Sequence, residues 1–360
     1  MLLPDQTELY NRYCKARESL IRLISIPSTS GMEGECAQGM AQYLLSYGCD
    51  VIRTGNNLIV ISKHYDPKRA TLLLNSHLDT VKPSEGYTFN PCTPFEDDTR
   101  IAGLGSNDAK ASVACLTETF LYFEQNPLID YNLILILSSE EENSGKGGIE
   151  LALLSSPAVD CAIVGEPTGM RAAVAERGLL VVDGTARGKS GHAARNEGIN
   201  AIDIAMEDIS WLKGYRFGRI SSLMEEVKCT VTGIKAGTQH NVIPDCCTFM
   251  IDIRTNERYT NQEIMEILSA NMKSSLKARS LSNKSSVTPA GHPLVKCAGE
   301  LGVETYISPT TSDWMRMSFP AIKMGPGDSS RSHTADEYIL KEELMSGVEG
   351  YINFVANLKL

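Results

Sequence analysis

The chain lacks the features that would place it in several common classes. Its ten cysteines include no C-x-x-C pair, and their scatter, with Cys246 beside Cys247, fits neither a zinc ribbon nor a compact disulfide framework. They read as free thiols of a reducing compartment. No apolar run approaches the length of a membrane span, since Leu133–Leu137 is only a strand-sized block. The opening MLLPDQ breaks its apolar start at Pro4 and Asp5 and has neither the basic region nor the long apolar stretch of a signal peptide. Clustered Lys and Arg are missing as well, and a formal net charge of −10 disfavours a phosphate backbone as partner. Two phosphate-binding patterns each fail at one residue. GLGSNDAKAS has Asp108 where a dinucleotide fingerprint needs its third glycine, and GKSGH has Asp183 where a P-loop needs its first. Repeats and low-complexity segments are absent too. The expectation is a cytoplasmic protein with neither nucleic acid nor membrane as a partner.

What is present is an ordinary globular composition, 360 residues with 42% hydrophobic and 22% charged side chains, long enough for two domains. Leu9, Tyr13, Leu20 and Ile24 recur at helical spacing after Asp5, with Glu8 as a capping partner and Pro27 closing the segment. A second helical pattern through Ala37, Met40, Tyr43, Leu44 and Tyr47 stops at Gly48, a residue suited to a helix C-terminus. Strand-like runs at 58–61, 71–74, 133–137 and 162–164 then alternate with helical stretches, which predicts an α/β fold with a mostly parallel central sheet. From about residue 173 to 285 the pattern changes to strand, helix, strand, strand, helix, the last helix read over 260–276, a small α/β sandwich of its own. A helix near 293–301 and a strand at 321–324 rejoin the first layer. The predicted division is therefore one domain of residues 1–172 and 286–360 with a second domain, 173–285, inserted into it.

The chemistry-bearing residues fall after strands. His77 and Asp79 follow TLLLNS, Glu140, Glu141 and Glu142 follow LILILSS, and Glu166 follows AIVG. In open α/β sheets ligands bind beyond the carboxyl ends of strands, so three segments would deliver polar groups to one edge. With Asp108 and His333, the residues His77, Glu142 and Glu166 supply two imidazoles and three carboxylates, ligand types that Zn²⁺ accepts, and a carboxylate such as Asp108 can bridge two ions. Asp79 is placed to orient His77 through the other ring nitrogen. Asp108 has a competing role as the N-cap of the helix that starts near Lys110, and Glu166, before Pro167, one as an exposed turn carboxylate. In the glutamate run, Glu142 is read as a ligand and Glu141 as the acid–base group, with Glu140 and Glu141 the shifted alternative. His192 is a loop histidine of the inserted domain. Asn241 and Arg254 are candidates for substrate recognition, a guanidinium forming paired hydrogen bonds with a carboxylate.

At these residues the chain resembles the dinuclear zinc amidohydrolase superfamily that contains acetylornithine deacetylase, succinyl-diaminopimelate desuccinylase, aminoacylase and the glutamate carboxypeptidases. SHLDT, the GLGSNDAK turn, SSEEENSGKGG, VGEPTG, KSGHAARNEGINAI, HNVIPD, the TSD at Thr311–Asp313 and SHTADEY match its successive motifs along nearly the whole chain. The departures are Leu104, where the family often has Arg, and Ala109-Lys110-Ala111, where it often has Met-Lys-Gly. The resemblance implies two Zn²⁺, with Co²⁺ able to substitute: one held by His77, Asp108 and Glu166, the other by Asp108, Glu142 and His333. It implies Glu141 as general base and acid, His192 of a partner subunit at the oxyanion, Asn241 and Arg254 at the substrate, and a homodimer formed through the inserted domain. The implied activity is removal of the N-acyl group from a small N-acyl amino acid. N-acetylornithine in arginine biosynthesis stands first, ahead of N-succinylornithine and N-succinyl-diaminopimelate. A noncatalytic dimeric binding module is the competing class.

Overall fold

The computed structural model describes residues 4–195 and 197–360. Residues 1–3 of the N-terminal reading, and Asn196 inside the KSGHAARNEGINAI motif, lie outside the described residues. The chain divides into two compact units, Met1–Val174, Thr288–Tyr306 and Ser312–Leu360 in the first, Ala175–Val287 and Ile307–Thr311 in the second. The sequence reading put all of 286–360 in the first domain. Residues 307–311 group instead with the second, where the Ser308 carbonyl accepts the Arg177 amide.

In chain order the first unit builds α1 (Gln6–Ile24), α2 (Gly34–Ser46), β1 (Val51–Thr54), β2 (Asn57–Ile61), β3 (Thr71–His77), α3 (Lys110–Gln125), β4 (Asn132–Ser138), β5 (Cys161–Val164) and β6 (Ala172–Glu176). The second unit follows with β7 (Gly178–Arg187), α4 (Ala201–Gly214), β8 (Lys228–Ala236), β9 (Cys246–Thr255), α5 (Asn261–Asn271) and β10 (Ser275–Ala278). The chain returns through α6 (Pro293–Glu300), β11 (Ala321–Lys323) and α7 (Lys341–Asn357). Among the described residues no helix is long and apolar enough to cross a membrane.

The main sheet runs β1-β2-β4-β3-β5-β11-β6. Its centre, β4, β3, β5 and β11, is parallel, while β1, β2 and β6 join antiparallel. The sheet is thus mixed, with the expected parallel arrangement confined to its middle. The reason is local: β1 and β2 are separated only by Gly55 and Asn56, and a two-residue turn with Gly55 at a φ of +63° can join only antiparallel strands. β3, β4 and β5 are buried along their whole lengths, which is why they read as continuous apolar runs without alternation.

α3 is buried from Lys110 to Glu124 and packs against α1 and α7. α1 starts where Asp5 accepts the Glu8 amide at 2.8 Å, while the Glu8 carboxylate takes the Arg12 guanidinium at 2.8 Å and so does not complete a capping box. In the second unit the sheet order is β8-β9-β7-β10, antiparallel throughout, and β7 alternates buried and half-buried residues with the period of two expected of a one-sided sheet. The helical reading through residue 276 ends early, at Asn271, because Asp208 accepts the amides of Lys273 and Ser274 at 2.8 Å each and turns the chain into β10.

Register positions the chemistry. His77 pairs with Ser138 and Asn75 with Val164, so Glu166 stands level with His77 at the carboxyl edge of the sheet. Phe120, 1% exposed in the core between α3 and its neighbours, is expected to cost about 3–5 kcal/mol when replaced by alanine. Chemical unfolding of the variant measures this; a loss under about 1 kcal/mol would remove that helix face from the core.

Candidate metal centre

Asp108 lies between two histidines. Its Oδ1 is 3.3 Å from His77 Nε2 and its Oδ2 is 3.6 Å from His333 Nε2. Glu166 Oε1 is 3.7 Å from the same His77 nitrogen, and Glu142 Oε2 is 3.0 Å from that of His333. Two overlapping groups result, His77 with Asp108 and Glu142, and His77 with Glu141 and Glu166, in each of which one donor atom per residue lies within 4.8 Å of the others. The five predicted ligands and Glu141 are therefore brought to one place in the first unit.

Asp108 does not cap the helix behind it. Ala109 is the N-cap residue, without a side-chain hydrogen bond, and the Asp108–Ala109 peptide is cis. Gly105, in the same turn, adopts a φ of +79°, and a Cβ there would stand 2.6 Å from Thr80 Cγ2, so the turn needs glycine on both counts. Glu166 is crowded in the same way: a Cβ on Gly325 would sit 2.5 Å from the Glu166 carbonyl oxygen.

The glutamate run sorts its members by backbone. Glu140 has a φ of +56° and folds its carboxylate back to accept the Gly147 amide at 3.0 Å. Glu141 and Glu142 are left to face the histidines. Their amides donate to Asp79 Oδ1 and Oδ2 at 3.1 Å each, and Ser30 Oγ donates to Oδ2 at 2.6 Å. The His77 ring nitrogen Nδ1 is closest to the Asp79 carbonyl oxygen, 3.0 Å, with the Asp79 carboxylate at 3.4 Å. Asp79 thus meets His77 mainly through its backbone, and its carboxylate ties the His77 strand to the glutamate loop.

Electrostatics report how crowded the centre is. Burial lowers the His77 pKa, but the Asp108 and Asp79 carboxylates beside its ring nitrogens and the charges of Glu141 and Glu166 raise it well above its ordinary value. For Asp108 burial raises the pKa while the two histidines and Ser332 bring it below the usual carboxylate range. Burial, reinforced by neighbouring carboxylates, raises Glu141 well above that range and pushes Glu166 up to about 8. His333 is pushed up to about 9, chiefly by its hydrogen bond to Glu142.

These residues fit a cation. With Nδ1–H donated to the Asp79 carbonyl, the buried Nε2 of His77 has no hydrogen-bond partner among the described residues and faces two carboxylate oxygens at 3.3 and 3.7 Å. A lone pair aimed at anions is repulsive unless a proton or a metal ion lies between them. Ligands about 2.0 Å from a tetrahedral ion stand roughly 3.3 Å apart, which the donor spacing matches.

The predicted residues of the second unit separate into two places. His192 pairs with Val242, and the Ala193 amide donates to the Asn241 carbonyl at 3.1 Å, so His192 and Asn241 are adjacent and both exposed. Arg254 is near the far end of β9, eight residues beyond Cys246, roughly 26 Å at about 3.3 Å per residue. Its guanidinium is engaged by the Asp252 carboxylate at 2.8 and 3.1 Å.

Sequence reasoning missed three buried acids around the centre. Glu337 accepts three backbone amides of the Asp108 turn. Glu33 accepts the amide of Glu140 at 3.1 Å. Asp313, in the TSD segment, receives the Ser138 hydroxyl and is pushed up to about 6, first by burial. Glu337 and Asp313 lie inside the SHTADEY and TSD motifs, where no role was read for them.

Comparison with known proteins gives a family. A model described as Peptidase family M20/M25/M40 matches residues 73–357. Acetylornithine deacetylase of Edwardsiella ictaluri (strain 93-146) is 27% identical over 348 residues, covering 88% of this chain and 91% of that protein. Succinyl-diaminopimelate desuccinylase of Paracidovorax citrulli (strain AAC00-1) is 28% identical over 362 residues, covering 89% and 91%. Among solved structures, a tripeptidase from Staphylococcus aureus subsp. aureus Mu50 superposes with a TM-score of 0.76 at 20% identity over 96% of this chain and 98% of the other. A dinuclear metal-binding M20 peptidase from Bacillus subtilis gives 0.71 at 16% identity over 96% and 98%. At these identities the structures establish the mixed α/β fold.

Without a bound cation, Glu166 and His333 both carry folded-state pKa values above their ordinary ones. A raised acid holds a proton that the unfolded chain releases, and a raised histidine loses its favourable contacts as it deprotonates, so both remove stability as pH rises. The thermal midpoint of chelator-treated protein is expected to fall between about pH 5 and pH 9, and saturating Zn²⁺ to oppose the fall because its ligands must deprotonate. A midpoint that is independent of both pH and added metal contradicts the cation reading.

Proposed function

We propose, from the premise that the chain belongs to Peptidase family M20/M25/M40 and is a hydrolase acting on amide bonds, that it removes the acyl group from a small N-acyl amino acid, N-acetylornithine first. The carrying observation is Asp108 with one oxygen toward each histidine. In this reading His77, Asp108 and Glu166 hold one Zn²⁺ and Asp108, Glu142 and His333 the other, with Co²⁺ a workable substitute. Similarity to acetylornithine deacetylases supports the acetyl substrate and a place in arginine biosynthesis. Similarity to a succinyl-diaminopimelate desuccinylase over most of the chain supports an N-succinyl amino acid as the second reading. The composition suits a cytoplasmic enzyme.

Bound ions supply Lewis-acid polarisation of the acyl carbonyl and lower the pKa of the attacking water. Glu141, buried among carboxylates and raised in pKa, is suited to take the proton from that water and pass it to the leaving nitrogen. Asp79 keeps Glu141 and Glu142 in place through their amides. His192 is proposed to stabilise the oxyanion, with Asn241 and Arg254 at the substrate. Arg254 stands roughly 26 Å along β9 from Cys246, and the ribbon that carries His192 and Asn241 adjoins the Cys246 end, which supports placing the pair and Arg254 at different sites. We therefore assign His192 and Asn241 to the site of a second copy, in a homodimer formed through the second unit. The edge strand β8 and exposed Ile199, Met206 and Ile234 are in keeping with such an interface.

Glu141→Ala is expected to lower kcat by about 10²- to 10⁴-fold while metal content by atomic absorption stays at wild-type level; wild-type turnover would refute the assignment. Side-by-side hydrolysis of N-acetylornithine, N-succinylornithine and N-succinyl-diaminopimelate is expected to favour the first by kcat/KM, and a clear preference for either succinyl compound selects the second reading. Mixing Glu141→Ala and His192→Ala proteins under conditions that exchange subunits is expected to restore about a quarter of wild-type activity, one intact site per hybrid dimer. Absence of recovery in demonstrably mixed dimers would place His192 in its own chain's site, and wild-type activity of the His192→Ala protein alone would place it outside catalysis.

A further inference from the structure

Glu337 is 2% exposed and takes no part in the reading above. Its Oε2 accepts the Gly105 amide and its Oε1 accepts the amides of Asn107 and Asp108, all at 2.8 Å. Its backbone carbonyl also accepts the Gly103 amide at 2.9 Å. Successive amides converging on one point form an anion-binding nest, here filled by the chain's own carboxylate. None of these three amides lies within α3, which begins at Lys110, so helix formation does not orient them. At the other end of the same segment, Asn107 donates to the Asp328 carbonyl and accepts the Asp328 amide, both at 3.0 Å.

The segment 328–337 carries His333, whose side chain is half exposed and whose backbone sits at a φ of +59°, with Asp336 at +55°. Left-handed non-glycine residues and a half-exposed imidazole gain little from packing; His333 meets Glu142 at 3.1 Å, Thr88 holds the Asp336 carboxylate at 2.8 Å through its amide and hydroxyl, Arg331 pairs with Glu343 at 2.6 Å, and the two ends of the segment fix its backbone. Both ends are anchored on the turn that presents Asp108. We propose that Glu337, with Asn107 as the second anchor, is a positioning residue that holds the Asp108 carboxylate and the His333 imidazole in register, so that the two halves of the centre form together. The proposal rests on reading Asp108 and His333 as metal ligands.

Glutamine at 337 separates this role from bulk. Its single carbonyl oxygen can still accept the Asn107 and Asp108 amides, but its NH₂ then opposes the Gly105 amide, donor against donor. The test is titration of metal-free wild type, Glu337→Gln and Asn107→Ala with Co²⁺, followed by the visible absorption spectrum and by chelator competition, alongside kcat and KM of the Zn²⁺-loaded proteins. Each variant is expected to bind both ions more weakly, because Asp108 serves both, with the ion at Glu142 and His333 weakened the more, by about 10- to 100-fold, an altered cobalt spectrum and a fall in kcat at nearly constant KM. Wild-type affinities, stoichiometry and spectrum in both variants overturn the inference alone. A wild-type protein that binds no Co²⁺ and no Zn²⁺ overturns it together with the metal reading. If the glutamine variant does not fold, Asn107→Ala decides, because it removes one anchor and leaves the carboxylate grip intact.

Discussion

Four carboxylates, Asp108, Glu141, Glu142 and Glu166, are gathered against two imidazoles, and their mutual repulsion is the constraint around which the first unit is built. Repelling groups stay together only where the backbone beneath them is fixed. Here that backbone is held largely by further carboxylates accepting amide protons: Glu33 holds Glu140, Asp79 holds Glu141 and Glu142, and Glu337 holds the turn before Asp108. Hydrogen bonds to an ionised acceptor are about twice as strong as neutral ones. Anions that do not face the centre therefore position those that do.

The sheet explains why these loops meet at all. Three parallel strands in register end at one level, and each delivers a candidate ligand there: His77 as the last residue of β3, Glu142 and Glu166 in the loops after β4 and β5. Parallel strands need long crossovers, and the crossover between β3 and β4 includes α3, whose preceding turn presents Asp108 over the same edge. Glycine at 325 lets the backbone close around Glu166. His333 has no such scaffold, arriving on an irregular segment after the chain has passed through the second unit.

The second unit uses different physics. Its antiparallel, one-sided sheet alternates buried and half-buried residues and supports His192 and Asn241 on a short exposed ribbon. Arg254, near the far end of β9, has its guanidinium satisfied by Asp252. A cation engaged by a carboxylate on its own strand must exchange partners before it can recognise another acid.

Much of the fold and centre was legible in the residues. Apolar runs of strand length ending in His, Glu or Glu-Pro marked the parallel strands and their polar ends, because burial on both faces forces unbroken apolar composition. Ligand types were legible because metal chemistry restricts them to a few side chains. The antiparallel hairpin of β1 and β2, the early end of α5 at Asn271, set by Asp208, and the grouping of 307–311 with the second unit were not, since each depends on a partner distant in sequence or on a two-residue turn. The choice within Glu140, Glu141 and Glu142 was likewise decided by tertiary structure. Three adjacent identical side chains carry no signal to tell them apart; only the left-handed backbone at Glu140 and the Asp79 carboxylate beneath its two neighbours determine which face the histidines. The sequence by itself determined which groups were available for chemistry. Which oxygen faces which nitrogen was decided by the folded backbone, because direction is a property of hydrogen bonds between segments as far apart as Asp108 and Glu337.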